Sequence, residues 1–252
     1  MNVSLIAHYK SNSQIIRVLS ENWFENEMFC PCCLNSKITA HENNQKVSDF
    51  FCTTCSNEFQ LKSSKSRFAH KVLDGAYDTM HCAIVNGQSP NFFLLHYSIS
   101  DWHVKNLFLI PKFFMNSSII EKRKPLSKNA RRAGWTGCNI LLDRLPVEGR
   151  IAIVRDEKVI PCEIVNKNWR KMFFLNTKKS DGKSWLVDVL KCVNDLNEHS
   201  FSLTQLYKYK DYLKDLHPKN SHVEEKIRQQ LQILRDNKVL LFRSRGIYEL
   251  TQ

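Results

Sequence analysis

No stretch of this 252-residue chain approaches the roughly 20 consecutive apolar residues that a membrane-spanning helix needs. The opening run Met1-Asn2-Val3-Ser4-Leu5-Ile6-Ala7-His8 is also too short in apolar residues for a secretory signal. Internal repeats and low-complexity tracts are missing, which leaves ordinary globular architecture. Acidic residues are the scarcer charge: 25 Asp and Glu stand against 37 Lys and Arg, for a net charge of +12 and a pI near 9.3. That balance favours an acidic partner such as nucleic acid, although charge alone equally admits an anionic membrane surface. With 42% hydrophobic and 25% charged residues, the chain has room for one large domain or two modest ones. The expectation is a soluble, monomeric, cytoplasmic protein with no membrane partner.

Nine cysteines would fit a disulfide framework in a small secreted domain, but this chain is larger and its cysteines are unevenly placed. Cys30-Pro31-Cys32-Cys33 and Cys52-Thr53-Thr54-Cys55 are two C-x-x-C knuckles separated by eighteen residues, the spacing of a structural zinc site. Cys30, Cys33, Cys52 and Cys55 are the expected ligands, and Cys32 is a neighbour. The alternative is a set of reactive or merely buried thiols. Cys82, Cys138, Cys162 and Cys192 are isolated and read as small core residues.

The amphipathic run around residues 13–19 predicts a first helix. Residues 47–52 and 58–63 are apolar-aromatic runs split by Thr53-Thr54-Cys55-Ser56-Asn57, which predicts a hairpin. Helix is expected over 75–85. Asn91-Phe92-Phe93-Leu94-Leu95-His96-Tyr97 reads as a buried strand with residues 105–110 as its neighbour. Residues 119–132 read as a basic loop, crowded by Lys122, Arg123, Lys124, Lys128, Arg131 and Arg132. A strand pair is expected around 151–154 and 172–175, and the polar stretch 176–183 marks a domain boundary. The fold class is α/β over residues 1–180. Beyond it, helices over 185–196, 202–213 and 221–236 lead to a hairpin around Arg245-Gly246, the pattern of a winged helix over residues 184–252.

In the third of those helices Val223, Ile227, Leu231 and Leu234 form an apolar stripe, and the other face presents Glu225, Arg228, Gln229 and Gln232. Gln can read adenine and Arg guanine through paired hydrogen bonds, so this face suits base-edge readout, although a lone helix with such a face reads first as a solvated surface. Arg243 and Arg245 on the wing are placed to touch flanking phosphate or the minor groove. From Ser184 onward there are eleven Lys and Arg against nine Asp and Glu, too near neutrality for electrostatic attraction alone to bind DNA.

Asp49 and the Gln60-Leu61-Lys62 triplet lie in the two arms of the predicted hairpin. A carboxylate, a second oxygen ligand and a lysine two residues further along one strand face are what phosphodiester hydrolysis requires. Asp49, the Gln60 side-chain oxygen and the Leu61 backbone carbonyl would hold Mg²⁺, and Lys62 would orient or help deprotonate a Mg-bound water. The same three residues also describe an ordinary edge strand.

Taken together, the two cysteine knuckles resemble the DpnI-like methyl-directed restriction endonucleases, as do Asp49-Phe50, Glu58-Phe59-x-Leu61-Lys62-Ser63 and Asp74-Gly75-Ala76-Tyr77. Pro90-Asn91-Phe92-Phe93, Ala130-Arg131-Arg132-Ala133-Gly134-Trp135-x-Gly137-Cys138-Asn139-Ile140 and the segment from Glu225 to Asp236 extend the resemblance nearly end to end. It implies a PD-(D/E)xK restriction-endonuclease-like domain with a four-cysteine zinc site, joined to a C-terminal winged helix. It further implies a type II enzyme that cuts double-stranded DNA at GATC when the adenine is N6-methylated. Asp49 and Lys62 fall on the family's catalytic positions. Ser48 stands in place of the motif's proline and Gln60 in place of its Asp or Glu, which removes one negative charge from the metal site.

Trp135, between Gly134 and Gly137 and preceded by Arg131 and Arg132, is the expected reader of the methyl group: an indole wall contacts it by dispersion while the arginines bind phosphates. A core tryptophan capping a strand is the other reading of the same residues. A chain whose Gln60 marks a decayed site would instead be a non-catalytic methylated-DNA-binding or regulatory protein, and an RNA-binding zinc module is a third reading.

Overall fold

The computed structural model describes residues 1–42 and 48–251, so Val47, expected in the first hairpin arm, lies outside the described residues. The first helix, α1 (Asn12–Glu27), precedes the short strands β1 (Thr39–Ala40) and β2 (Phe50–Phe51), and then β3 (Glu58–Ser64). Strand β4 (Lys71–Ala76), helix α2 (Tyr77–Val85), and strands β5 (Asn91–Tyr97), β6 (Val104–Ile110), β7 (Ile120–Lys122) and β8 (Gly137–Leu141) follow. Next come β9 (Ile151–Arg155), β10 (Lys158–Val159) and the helices α3 (Cys162–Met172) and α4 (Ser180–Asp195). The chain closes with β11 (Ser200–Ser202), α5 (Leu203–Leu206), α6 (Lys210–Leu216), α7 (Val223–Asp236), β12 (Leu240–Ser244) and β13 (Ile247–Leu250).

Met1–His70, Gln88–Lys112 and Gly149–Met172 form one compact unit, built on a seven-stranded sheet of order β1-β2-β3-β5-β6-β9-β10. The β3–β5 pair is parallel and the other pairs are antiparallel. Strand β5 is buried on both faces at all but one position, which is why its sequence is a continuous apolar run and not an alternating one. Helix α1 covers one face of the sheet: the Phe24 ring lies 4.6 Å from that of Phe50 and 4.7 Å from that of Phe93, with Phe59 5.4 Å from Phe93. Because side chains alternate along a strand, Gln60 and Lys62 point to the opposite face from Phe59 and Leu61.

The expected strand at residues 172–175 is a correction. Met172 ends α3 and Phe173–Thr177 is a 3-10 helix, because Val165, Trp169 and Met172 recur at helical spacing and are all buried. The real partners of β9 are β6 and β10.

Lys71–Gly87, Phe113–Glu148 and Phe173–Gln252 make up the second unit. It contains a three-stranded sheet of order β4-β8-β7, and a second of order β11-β13-β12. The predicted basic loop over 119–132 instead opens on the last residue of a 3-10 turn (Ser117–Ile119) and strand β7. Its remainder is closed by backbone bonds from Leu126 N–H to the Trp135 carbonyl (2.9 Å) and from Gly134 N–H to the Leu126 carbonyl (3.1 Å). Residues 75 and 76 belong to β4, so α2 starts at Tyr77. The helix expected over 202–213 is two short helices, α5 and α6, separated by a 3-10 turn; Ser202 caps α5 in a capping box with Gln205.

Helix α4 is the centre of this unit. Its residues Trp185, Leu186, Val187, Asp188, Val189 and Leu190 are all buried, so the helix has no solvent face over that stretch. Asp188 accepts hydrogen bonds from Ser118 Oγ (2.8 Å) and Ser184 Oγ (3.3 Å), and lies 2.8 Å from His217 Nε2. The His217 ring stacks on Trp185 with centroids 4.0 Å apart. Asn194 Oδ1 further accepts from the Val147 N–H at 2.8 Å. Of the four isolated cysteines, Cys138 and Cys192 are buried as expected, whereas Cys82 is exposed and Cys162 half-exposed.

Candidate active site, metal centre and DNA-reading surfaces

The four paired cysteines converge. Their sulfurs all lie within 4.8 Å of one another, with Cys30 to Cys55 at 3.5 Å and Cys33 to Cys52 at 3.6 Å. Four thiolates bound tetrahedrally to zinc at about 2.3 Å would stand about 3.8 Å apart, so the donor set fits that ion. Both knuckles fold alike. Leu34 N–H bonds back to the Cys30 carbonyl and Ser56 N–H to the Cys52 carbonyl, both at 2.9 Å, and Leu34 and Ser56 have positive φ (63° and 54°). An asparagine follows each: Asn35 Nδ2 lies 3.7 Å from Cys52 Sγ, and Asn57 Nδ2 3.3 Å from Cys55 Sγ. The sequence signal for these two residues is the repeated Cys-x-x-Cys-x-Asn, which the ligand spacing alone did not single out.

Burial pushes the Cys30 and Cys33 thiols upward. At Cys52 burial acts the same way but is outweighed by the N–H groups of Cys55 and Thr54 and by the Asn35 amide, which bring its thiol down to about 6. A cation among the four would favour the thiolate at every position. Cys32 is not a member of the cluster, and its thiol is raised to about 11, chiefly by burial.

Strands β2 and β3 hold the expected catalytic residues. Their register pairs Phe50 with Phe59, so Asp49, just before β2, stands opposite Gln60. One Asp49 carboxylate oxygen accepts the Leu61 N–H at 2.8 Å, which turns the Leu61 carbonyl toward the same edge of β3. Gln60 Oε1 is buried and has no hydrogen-bond donor among the described residues. An acceptor oxygen left without a donor next to a carboxylate is an arrangement that a cation completes, and these oxygens suit a hard divalent ion. Lys62 lies two residues along the same strand face and is half-buried. Ser48, in the place of the motif's proline, donates its hydroxyl to Glu58, whose carboxylate also meets His41 Nε2 at 2.7 Å. Glu21 of α1 belongs to no sequence motif. Burial raises its carboxyl, Arg17 (3.9 Å) counters this, and the negative charge of Asp49 raises it further, so Glu21 stands within the field of the site.

On the second unit, β7, β8 and α2 bring a basic and aromatic cluster together. Arg132 lies over the Trp135 ring with its guanidinium carbon 4.7 Å from the centroid, and Lys122 Nζ is 5.1 Å from the Tyr77 centroid. Tyr77 in turn stacks on His81 at 5.7 Å. Tyr77, His81 and the role of Lys122 were not visible in the sequence, because the meeting depends on the bond from Tyr77 N–H to the Thr136 carbonyl (3.0 Å) across the sheet end. Trp135 is half-exposed, and Arg131 and Arg132 are exposed.

The third helix of the C-terminal module, α7, buries Val223, Ile227, Leu231 and Leu234 as expected, and Gln229 and Gln232 are exposed on its other side. Arg228 is held in place, its guanidinium donating to the Tyr207 hydroxyl (2.6 Å) and to Glu225 (3.0 Å). On the wing Arg243 forms a two-pronged pair with Glu249 at 2.6 and 2.7 Å, while Arg245 is exposed at the turn. Among the described residues, no helix is long and apolar enough to cross a membrane.

A family model described as DpnI, Dam-replacing family, matches residues 1–178. A second, described as Dam-replacing HTH domain, matches residues 181–250.

Proposed function

The chain belongs to the DpnI Dam-replacing family of methyl-directed restriction endonucleases, with a DNA-binding helix-turn-helix domain, and from that premise we propose that it cuts double-stranded DNA at GATC sites carrying N6-methyladenine. Residues 1–180 act as the PD-(D/E)xK catalytic domain and residues 184–252 as a winged-helix reader. The observation that carries the proposal is the Gln60 amide oxygen, buried opposite Asp49 with no donor among the described residues and sharing a strand face with Lys62. Asp49, Gln60 Oε1 and the Leu61 carbonyl would hold Mg²⁺, which would supply Lewis-acid polarisation of the scissile phosphate. The Leu61 N–H fixes the orientation of the Asp49 carboxylate, which would serve as the charged ligand of the ion. Lys62 directs its ammonium at the reacting phosphate, orienting the attacking water and offsetting the charge that builds there. Zinc in the four-cysteine cluster would pin the turn between β2 and β3, where Cys52 and Cys55 lie, and with it the spacing of Asp49 and Gln60.

Recognition is divided in two. Trp135 contacts the methyl group while Arg131 and Arg132 hold phosphates, and Arg228, Gln229 and Gln232 of α7 read base edges, with Arg243 and Arg245 flanking them. One buried methyl contributes only about 0.8 kcal/mol, so strong discrimination calls for both readers. Incubating the protein and Mg²⁺ with methylated and unmethylated copies of one plasmid tests the proposal: cutting of the methylated copy alone, abolished by EDTA, is expected. Gln60 also favours a second reading, a methylated-DNA-binding protein without nuclease activity. Tight binding to the methylated plasmid with no cutting at any Mg²⁺ concentration would select that one.

A further inference from the structure

Trp135 is half-exposed, and its neighbours cover part of the ring. Its six-membered ring abuts Gly137 so closely that a Cβ there would fall 2.9 Å from Cη2 and 3.0 Å from Cζ3, with Arg123 Nη1 at 3.2 Å. The Arg132 guanidinium covers the ring at 4.7 Å from its centroid. Arg132 is itself exposed, so the indole face beneath it is the one that solvent, or a methyl group, would otherwise reach. Arg132 makes no ion pair among the described residues, and neither do its neighbours Lys122, Arg123, Lys124, Lys128 and Arg131. A cation resting on an exposed indole is weakly held, whereas a guanidinium on a phosphate makes short, two-pronged, charge-assisted bonds. A DNA backbone arriving at this patch therefore competes with the indole for Arg132, and wins.

We propose that Arg132 is a lid on Trp135 that opens when a DNA phosphate takes its guanidinium, so that the indole becomes able to contact a methyl group only once the backbone has docked. This rests on the reading of Trp135 as the methyl contact. It makes methyl discrimination conditional: a loosely placed duplex meets a covered indole and is judged on charge alone.

Two measurements test the lid. In the free protein, acrylamide quenching of Trp135 emission, isolated as the difference between the parent and its Trp135→Phe variant, should rise on Arg132→Ala. An unchanged quenching constant would overturn the proposal. In binding titrations, duplexes with one methylphosphonate at each position in turn are compared in N6-methylated and unmethylated form. In the parent protein, one neutralised phosphate should reduce the methyl preference by about fourfold, the full effect of one buried methyl group. In Arg132→Ala the preference should be the same on every duplex. A parent protein whose preference ignores every phosphate removes the lid but leaves Trp135 as reader, provided that Trp135→Ala still loses the preference. If Trp135→Ala keeps the full preference, the reading of Trp135 fails and the lid falls with it.

Discussion

Replacing His217 by alanine should destabilise the second unit by an amount that can be worked from two contacts. The imidazole Nε2 lies 2.8 Å from Asp188 Oδ2, and the two side chains are only 9% and 3% exposed. A hydrogen bond to a charged group contributes about 1.5–3 kcal/mol. The ring also stacks on Trp185 at 4.0 Å, and such aromatic pairs contribute about 0.5–1.5 kcal/mol beyond their area. Asp188 keeps Ser118 and Ser184 as donors after the change, so the full penalty of an orphaned buried carboxylate is not added. The expected loss is about 2–4.5 kcal/mol for His217→Ala, and about 1.5–3 kcal/mol for His217→Phe, which retains a ring on Trp185. Urea titrations followed by circular dichroism give both values. His217 also opens the turn between α6 and α7, where Lys214 Nζ reaches the Pro218 carbonyl at 3.3 Å, so specific DNA affinity should fall along with stability. An alanine variant within about 0.5 kcal/mol of the parent, the range of an ordinary surface change, would refute the assignment of this contact as a structural latch.

Cys52→Ser should release the metal and unfold much of the first unit, while Cys32→Ser should leave it intact; a stoichiometric zinc assay on both proteins decides, and zinc-free active parent protein would end the claim. Lys62→Ala should abolish cleavage yet bind methylated DNA almost as tightly as the parent in a filter-binding assay, and an undiminished rate would remove Lys62 from the chemistry. Gln60→Glu should stay active and reach half-maximal rate at lower Mg²⁺, since it adds a carboxylate opposite Asp49; a raised Mg²⁺ requirement would argue against Gln60 as a ligand. Gln232→Ala should cost about 1–3 kcal/mol of binding at the specific site and little on random duplex, as competition titrations would reveal; equal losses on both would exclude base readout by α7.

What was legible in the sequence is what depends on near neighbours. The two knuckles need only Cys30 to Cys33 and Cys52 to Cys55, and β5 betrays its burial by its own composition. The Ser202 cap and the apolar stripe of α7 are likewise local. Met172–Leu175 misled because a short apolar run fits a strand or a helix end equally, and only the buried spacing from Val165 through Trp169 decides. The contacts that escaped are distant ones. Asp188 meets Ser118 from 70 residues away and His217 from 29, and Tyr77 meets Lys122 only once β4 and β7 have both paired with β8. No periodicity carries such pairings.

The all-round burial of α4 bears on how this family's readers could be exchanged. The two family models meet between residues 178 and 181, which looks like a seam for recombination. Yet α4 begins at Ser180, and its side chains are shared between α7 and the segment carrying Ser118 and Val147. A reader grafted from a relative at that seam would bring a helix whose second face was shaped for another neighbour. Successful chimaeras should therefore carry the matching 113–148 segment along with the helix-turn-helix, and bare swaps at the seam should yield insoluble protein even when both parents are well behaved.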